Sequence, residues 1–339
     1  MKTLFCIKPN LFEMRETALP ERKPGEVLLK LLRIGVCGTD YHAYQGHQPY
    51  FEYPRILGHE IVAEVAEAGK KESALKAGDI VTVIPYISCG HCIACRMDKP
   101  NACSDLKVIG CHVDGAMREY VSVPSGQIIS TPGLTLDQIN IIEPMAIGLH
   151  SVNRAQVQKG EWVLVQGSGP IGLAALKFAK LAGARTIALD VNPIRLEWCK
   201  GWAEVDETVD ARGDVLDALK TITRGELPTK VIDATGNAKA MMKTFEHTAH
   251  GGGVTYVSLV LADITFSDPH FHKKELTLNG SRAATKQEFD HVISSLRHGK
   301  IDAASFISHR APFERAIDSI LNWMKPESGV IKGVLEFSK

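Results

Sequence analysis

Four of the eight cysteines, Cys89, Cys92, Cys95 and Cys103, stand in "CGHCIACRMDKPNAC" with gaps of two, two and seven residues. Spacing this tight lets one turn-rich lobe aim four sulfurs at a point, which suits the closed tetrahedral site of structural zinc. The alternative, a pair of disulfides, needs an oxidising compartment. The opening "MKTLFCIKPNLFEMRE" has only "LFCI" ahead of Lys8 and Pro9, too short an apolar run for a signal peptide, and no apolar run reaches a membrane span. A cytoplasmic setting is therefore expected, where such thiols favour zinc over a redox dithiol or unbridged cysteines. The lobe has little apolar content of its own, so the metal would supply much of its folding energy.

A second set is scattered over "GVCGTDYH" (residues 35–42), "GHE" (58–60) and "EPMAIGLH" (143–150). Each fragment has a plainer reading alone: Cys37 as a small buried thiol, His59 as a core histidine, Glu143 as a helix-start carboxylate. Together they offer one thiol, one imidazole and one or two carboxylates. That mixed set matches a catalytic zinc that keeps a position open for water or substrate.

The stretch "GEWVLVQGSGPIGLAALKFAKLAGARTIALDVN" (160–192) carries a third kind of chemistry. "WVLVQ" reads as a buried strand, and "PIGLAALKFAKLAGA" as a helix with apolar residues three and four apart. Between them lie Gly167, Ser168, Gly169, Pro170, Ile171 and Gly172. The glycines permit a tight turn, close approach of a pyrophosphate and helix packing, with the helix N-terminus meeting the phosphates. A second strand, "TIALD", ends in Asp190 about twenty residues on, where a carboxylate can accept the ribose 2′-hydroxyl. A 2′-phosphate would be repelled there, so NAD is expected over NADP, although Arg195 nearby softens the preference.

These groups need a scaffold. At 339 residues, two domains are expected. With 39 basic and 39 acidic residues the chain has no electrostatic footprint for nucleic acid or an anionic membrane, and a small partner fits better. The first 145 residues or so are rich in Gly and Pro, with short β-like runs such as "EVLLKLLRIGV" and "DIVTVIPYI", as in a compact β module. From the glycine loop onward, strands such as "KVIDATG", "GGGVTYVSLV" and "KELTLNGS" alternate with helical stretches and imply a parallel sheet. Ligands bind beyond the carboxyl ends of such strands, so Ala234, Thr235, Gly236 and Ser258 to Val260 are candidate cofactor contacts. After about residue 284, "GVIKGVLEF" returns to β character and completes the first module.

In order and content these motifs resemble the zinc-dependent medium-chain alcohol dehydrogenases, in their polyol and threonine dehydrogenase branch, over nearly the whole chain. The resemblance implies an α/β chain in which a Rossmann-type doubly wound parallel sheet, 146–283, is inserted into a mainly β GroES-like catalytic domain, 1–145 with 284–339. It implies two zinc ions per chain. Cys37, His59, Glu60 and Glu143 would serve the catalytic one, Glu143 directly or through water, and Cys89, Cys92, Cys95 and Cys103 the structural one, leaving Cys6, Cys111 and Cys199 as ordinary thiols. Asp40 would orient His59, Thr39 would take the substrate's hydroxyl proton and His42 would pass it outward. A homodimer or homotetramer is implied as well. A cysteine zinc ligand of the horse-liver-like pattern is replaced by Glu143, which favours polyol-like substrates.

Within that branch, "HQPYFEYPRILGHE", "VIPYISCGHC", "FSDPHFHKKE" and "GSRAAT" resemble sugar-acid dehydrogenases of the L-galactonate oxidoreductase type. The expected reaction is oxidation of a secondary hydroxyl of a sugar acid or polyol to a ketone. Tyr44, His47, Gln48 and Tyr50 offer donors and acceptors for a polyhydroxylated chain, and Arg282 matches an arginine used near substrate and could pair with a carboxylate. His270, His272, Lys273 and Lys274 read first as a solvated basic loop. Threonine and neutral polyols are alternative substrates. A catalytically silent sensor on the same fold, or a zinc-free reductase, would lack part of this constellation.

Overall fold

The strand Glu26–Val36 organises the first of two units, Met1–Glu143 with Thr285–Lys339. It alternates strictly at its start, burying Val27, Leu29 and Leu31 against the core while Glu26, Leu28 and Lys30 face outward. The computed structural model describes residues 1–69 and 74–338. Among them, Glu26–Val36 is the middle of a mainly antiparallel sheet running Ile128–Ser130, Ile80–Val83, Glu60–Glu67, Glu26–Val36, Gly333–Glu336 and His309–Pro312, with Tyr120–Pro124 paired to its first half. A smaller sheet of Leu11–Glu16, Lys2–Lys8 and Arg55–Ile56 belongs to the same unit. The last segment of the chain thus enters the same sheet as the first.

Register at one end of that sheet decides the chemistry. Gly35 pairs with Glu60, and Val36 pairs with Gly333. Cys37 therefore leaves its strand beside the start of Glu60–Glu67, with His59 immediately before it and Lys332 immediately before Gly333. Gly35 is required by this approach: a Cβ there would lie 1.8 Å from Glu60 Oε2.

The second unit, Pro144–Ala284, carries a parallel sheet ordered Glu207–Asp210, Arg185–Asp190, Trp162–Gln166, Lys230–Asp233, Gly253–Tyr256 and Thr277–Gly280. Counted along the chain this is 3-2-1-4-5-6, the doubly wound dinucleotide-binding order. Leu164, Ile187, Leu189, Val209, Leu219 and Val231 form a buried cluster in it. The fourth to sixth of these strands are shorter than the apolar runs that announced them. "GGGVTYVSLV" is a strand only over Gly253–Tyr256, so residues 257–260 become a loop at its carboxyl end.

Candidate active site and metal centres

Among the described residues, two groups of side chains could each hold a metal ion: Cys37 with His59 and Glu60, and Cys89 with Cys92, Cys95 and Cys103. Cys37 caps the helix Gly38–Gln45, whose third residue, Asp40, accepts the Cys37 N–H on Oδ2 at 2.8 Å. That bond fixes the turn by which the chain leaves the strand. One ligand atom each of Cys37, His59 and Glu60 lie within 4.8 Å of one another. Thr39 Oγ1 is 3.7 Å from Cys37 Sγ. His42 follows one helical turn on, at the exposed side of the same helix.

Glu60 is fully buried, and its two oxygens have different fates. Oε1 accepts Lys332 Nζ at 2.6 Å, while Oε2 has no hydrogen-bond partner. Lys332 is itself buried and also donates to the Val36 carbonyl at 3.2 Å. His59 Nδ1 and Asp40 Oδ1 likewise lack partners, so no hydrogen bond joins Asp40 to His59. Burial pushes the Asp40 and Glu143 carboxyls up from their usual range. Burial alone would press the His59 imidazole down, but the Cys37 sulfur and the Asp40 and Glu143 carboxylates outweigh it and hold the ring well above the usual histidine range. Unpartnered buried donor atoms amid an excess of acidic groups are what a divalent cation would satisfy, and thiolate, imidazole and carboxylate are zinc's ligands.

Glu143 stands outside the three-residue group. Its Oε1 accepts the Tyr86 hydroxyl, and burial, with Glu143 second, pushes that phenol well up. Neither Lys332 nor Tyr86 was singled out from sequence. The one available signal for Lys332 was a cation inside the apolar run "GVIKGVLEF".

In the cysteine lobe, the sulfurs of Cys92 and Cys95, Cys92 and Cys103, and Cys89 and Cys95 lie 3.5, 3.8 and 4.0 Å apart. A tetrahedron with zinc–sulfur bonds of about 2.3 Å has an edge of about 3.8 Å, so the four thiols already stand at ligand spacing. Backbone N–H groups of Cys89, Cys92 and Asp105 point at sulfurs from 3.3 to 3.4 Å. Such donors favour thiolates. Hydrogen bonds led by the Cys95 backbone N–H pull the Cys92 thiol down to about 5.

In the second unit the glycine loop is built as its spacing implies. Gly167 adopts φ +88°, and a Cβ on Gly172 would lie 1.8 Å from the Gly167 carbonyl oxygen. Gly169 caps the helix Pro170–Leu181, with Pro170 and Ile171 in its first turn. Asp190 accepts Ser168 N–H on Oδ2 at 2.6 Å and Asn192 N–H on Oδ1 at 2.9 Å, so it holds the loop. Arg195 lies half-buried in the helix that Asn192 caps.

Several expected contacts are otherwise engaged. Tyr44 is a packing residue: its ring stacks on Phe12 with centroids 4.6 Å apart and its hydroxyl donates to the Asn10 carbonyl at 3.1 Å. The Thr235 and Ser258 hydroxyls donate to Asp233 rather than outward. Lys274 donates to the carbonyls of Phe245, Glu246 and Thr248, closing the C-terminal end of the helix Ala238–His247, whereas His270, His272 and Lys273 are exposed. Tyr50, His47 and Arg282 are exposed and Gln48 and Val260 half-buried.

The alcohol dehydrogenase GroES-like domain family matches residues 23–133, and the zinc-binding dehydrogenase family matches 170–297. L-Galactonate-5-dehydrogenase of Escherichia coli K12 is 41% identical over 338 residues, 99% of each chain. This chain belongs to the zinc-type medium-chain alcohol dehydrogenases. Among solved structures, RspB of E. coli CFT073, described as a short chain alcohol dehydrogenase and complexed with NADH, superposes with a TM-score of 0.93 at 31% identity over 99% of both chains. L-Idonate 5-dehydrogenase of E. coli K-12 gives 0.90 at 26% identity, over 99% of this chain and 98% of that one. As a zinc-type dehydrogenase the protein is an oxidoreductase acting on CH–OH groups of small molecules, with zinc and a nicotinamide dinucleotide as cofactors. No described helix is long and apolar enough to cross a membrane.

Proposed function

We propose that the protein oxidises a secondary hydroxyl of a sugar acid of the L-galactonate type to a ketone, with NAD as acceptor. The observation that carries the substrate class is the 41% identity to L-galactonate-5-dehydrogenase over almost the entire length of both chains. Cys37, His59 and Glu60 would hold the catalytic zinc, with Glu143 beside them. When bound there, zinc supplies Lewis acidity that brings a hydroxyl's pKa toward neutrality. Thr39 takes the hydroxyl proton and His42, one turn along the helix, delivers it to solvent. Asp40 biases the His59 ring by its charge and fixes the Cys37 backbone. Asp190 would receive the adenosine ribose and disfavour a 2′-phosphate, and NAD bound there would supply the hydride acceptor. Arg282 supplies a cation for the substrate carboxylate, and Gln48 and Tyr50 supply polar contacts. The four-cysteine zinc is structural.

The setting we propose is cytoplasmic, in keeping with thiols placed for metal rather than disulfides. The molecule is a homo-oligomer on this reading. Thr277–Gly280 is the outermost strand of its sheet, and Leu278 on it is 40% exposed, so a second copy pairing along this edge would cover it. Light scattering of the wild type and Leu278→Lys reads this directly, with a smaller particle expected for the variant.

The function is tested by NADH formation from zinc-loaded protein across aldonates, neutral polyols, L-threonine and simple secondary alcohols. Turnover on L-galactonate or another aldonate supports the reading. Turnover on neutral polyols or threonine alone removes the sugar-acid assignment and leaves the zinc chemistry, and silence throughout returns the sensor alternative.

A further inference from the structure

Asp233 ends the strand Lys230–Asp233 and is fully buried. Its Oδ1 accepts the Thr235 N–H at 3.1 Å, the Thr235 hydroxyl at 3.0 Å and the Ser258 hydroxyl at 2.8 Å. Its Oδ2 accepts Gln166 Nε2 at 3.2 Å. Gln166 in turn ends Trp162–Gln166, immediately before Gly167. Three strand ends, those of Trp162–Gln166, Lys230–Asp233 and Gly253–Tyr256, therefore converge on one carboxylate. Each is a point from which a candidate cofactor loop departs.

The Gln166 amide has a single consistent orientation. A carboxylate and the Ala240 carbonyl, 3.1 Å away, both require donors, so Nε2 faces them. Oε1 is left to His247 Nδ1 at 2.6 Å, which must then carry its proton. Backbone bonds continue the frame, with Ala234 N–H donating to the Gln166 carbonyl at 2.8 Å and Val257 N–H to the Asp233 carbonyl at 3.0 Å. The glycine loop rests on what Asp233 holds. A Cβ on Gly167 would fall 2.8 Å from the Ala234 carbonyl carbon and oxygen and 2.9 Å from Thr235 N. Any shift of the peptide joining Ala234 to Thr235 would reach Gly167 directly, because backbone packed this closely transmits displacement.

We propose that Asp233 is the positioning residue of the dinucleotide site, holding the peptide of Ala234 and Thr235 and the start of the 257–260 loop in the form that receives NAD. It acts through Thr235, Ser258 and Gln166 and does not touch the cofactor. A corollary is that Thr235 and Ser258 meet NAD with backbone groups and lone pairs, since their hydroxyl protons point inward. The proposal rests on dinucleotide binding by the loop of residues 167–172.

NADH fluorescence titration of zinc-loaded, full-length wild type, Asp233→Ala, Asp233→Asn and Gln166→Met tests it, with zinc content and melting measured on each. Losing a charged hydrogen-bond hub should weaken NADH binding by about tenfold or more in Asp233→Ala, with an intermediate loss in Asp233→Asn. The KM for NAD should rise alike, while kcat at saturating NAD and the KM for the alcohol stay within about twofold. A folded Asp233→Ala with wild-type NADH affinity overturns the proposal. Where that variant does not fold, unchanged affinity in Gln166→Met overturns it and weakened affinity supports it. Failure of the wild type to bind NADH would sink the dinucleotide reading itself, a separate result.

Discussion

Lys332 Nζ lies 2.6 Å from Glu60 Oε1, and the two side chains are 1% and 0% exposed. A buried pair is weak evidence of net stabilisation, but removing one partner leaves an uncompensated charge in a medium that cannot solvate it. Lys332→Met should therefore destabilise the metal-free protein by about 3–5 kcal/mol. Zinc supplies positive charge to the same carboxylate, so the loss should be smaller in the loaded protein. By linkage, the variant should then hold zinc more tightly than the wild type by that difference. Urea unfolding of both proteins with and without zinc measures all four corners. Equal losses in the two states would show that Lys332 and the metal do not share Glu60.

The cysteine lobe makes a different prediction. Its two short helices, Ile93–Arg96 and Pro100–Ala102, bury none of their residues. Cys103 is the one buried thiol of the four. With so little apolar area, local order depends on the metal. Chelation, or Cys103→Ser, should speed tryptic cleavage after the exposed Arg96 by roughly tenfold or more while the parallel-sheet unit stays resistant. Timed digestion followed by mass spectrometry checks it, and an unchanged rate at Arg96 would count against a structural metal there.

Legibility in the sequence followed distance along the chain. The cysteine lobe spans fifteen consecutive positions, and the glycine loop lies between its own strand and helix, so local spacing carries both. The Lys332 and Glu60 pair is separated by 272 residues. It becomes visible only when Gly333 is set opposite Val36 and Gly35 opposite Glu60. The packing of Tyr44 was hidden for another reason: a polar-looking loop does not reveal which face of Gly38–Gln45 turns toward Phe12. Lys274 looked like part of a basic surface because three carbonyls at a helix end leave no mark in the sequence. Asp233 was not singled out, since its partners Gln166 and Ser258 lie 67 and 25 residues away along the chain.

His247 sets a pH dependence of stability. Burial, with Lys243 and Lys274 nearby, pushes its imidazole down to about 4. In the unfolded chain the same ring titrates near 6.5. Between those values the unfolded state binds the extra proton, so stability from this group is complete above about 6.5 and falls as pH drops through the window. The full effect is about 3 kcal/mol. His247→Gln retains an amide donor for Gln166 and removes the titration. Its stability profile between about pH 4 and 6.5 should be flatter than that of the wild type, as measured by denaturant unfolding at each pH. Parallel profiles would mean that His247 is protonated in the folded state.

Arg282 separates the sugar-acid reading from the neutral-polyol one. It follows the edge strand Thr277–Gly280 and carries the guanidinium proposed to meet the substrate carboxylate. A charge-assisted pair of that kind is present with an aldonate and absent with a neutral polyol, so its removal should discriminate between them. Arg282→Ala should raise the KM for the aldonate by about ten- to a hundredfold and leave the KM for a neutral polyol within about twofold. Arg282→Lys should recover part of the loss by restoring charge without the planar fork. Were both substrates to weaken together, Arg282 would be serving the cofactor or the fold, and selectivity for the carboxylate would have to come from elsewhere in the chain. Steady-state kinetics on the two substrates at saturating NAD, with NADH affinity measured alongside, distinguishes these cases because a cofactor role moves the NADH affinity and a carboxylate role does not.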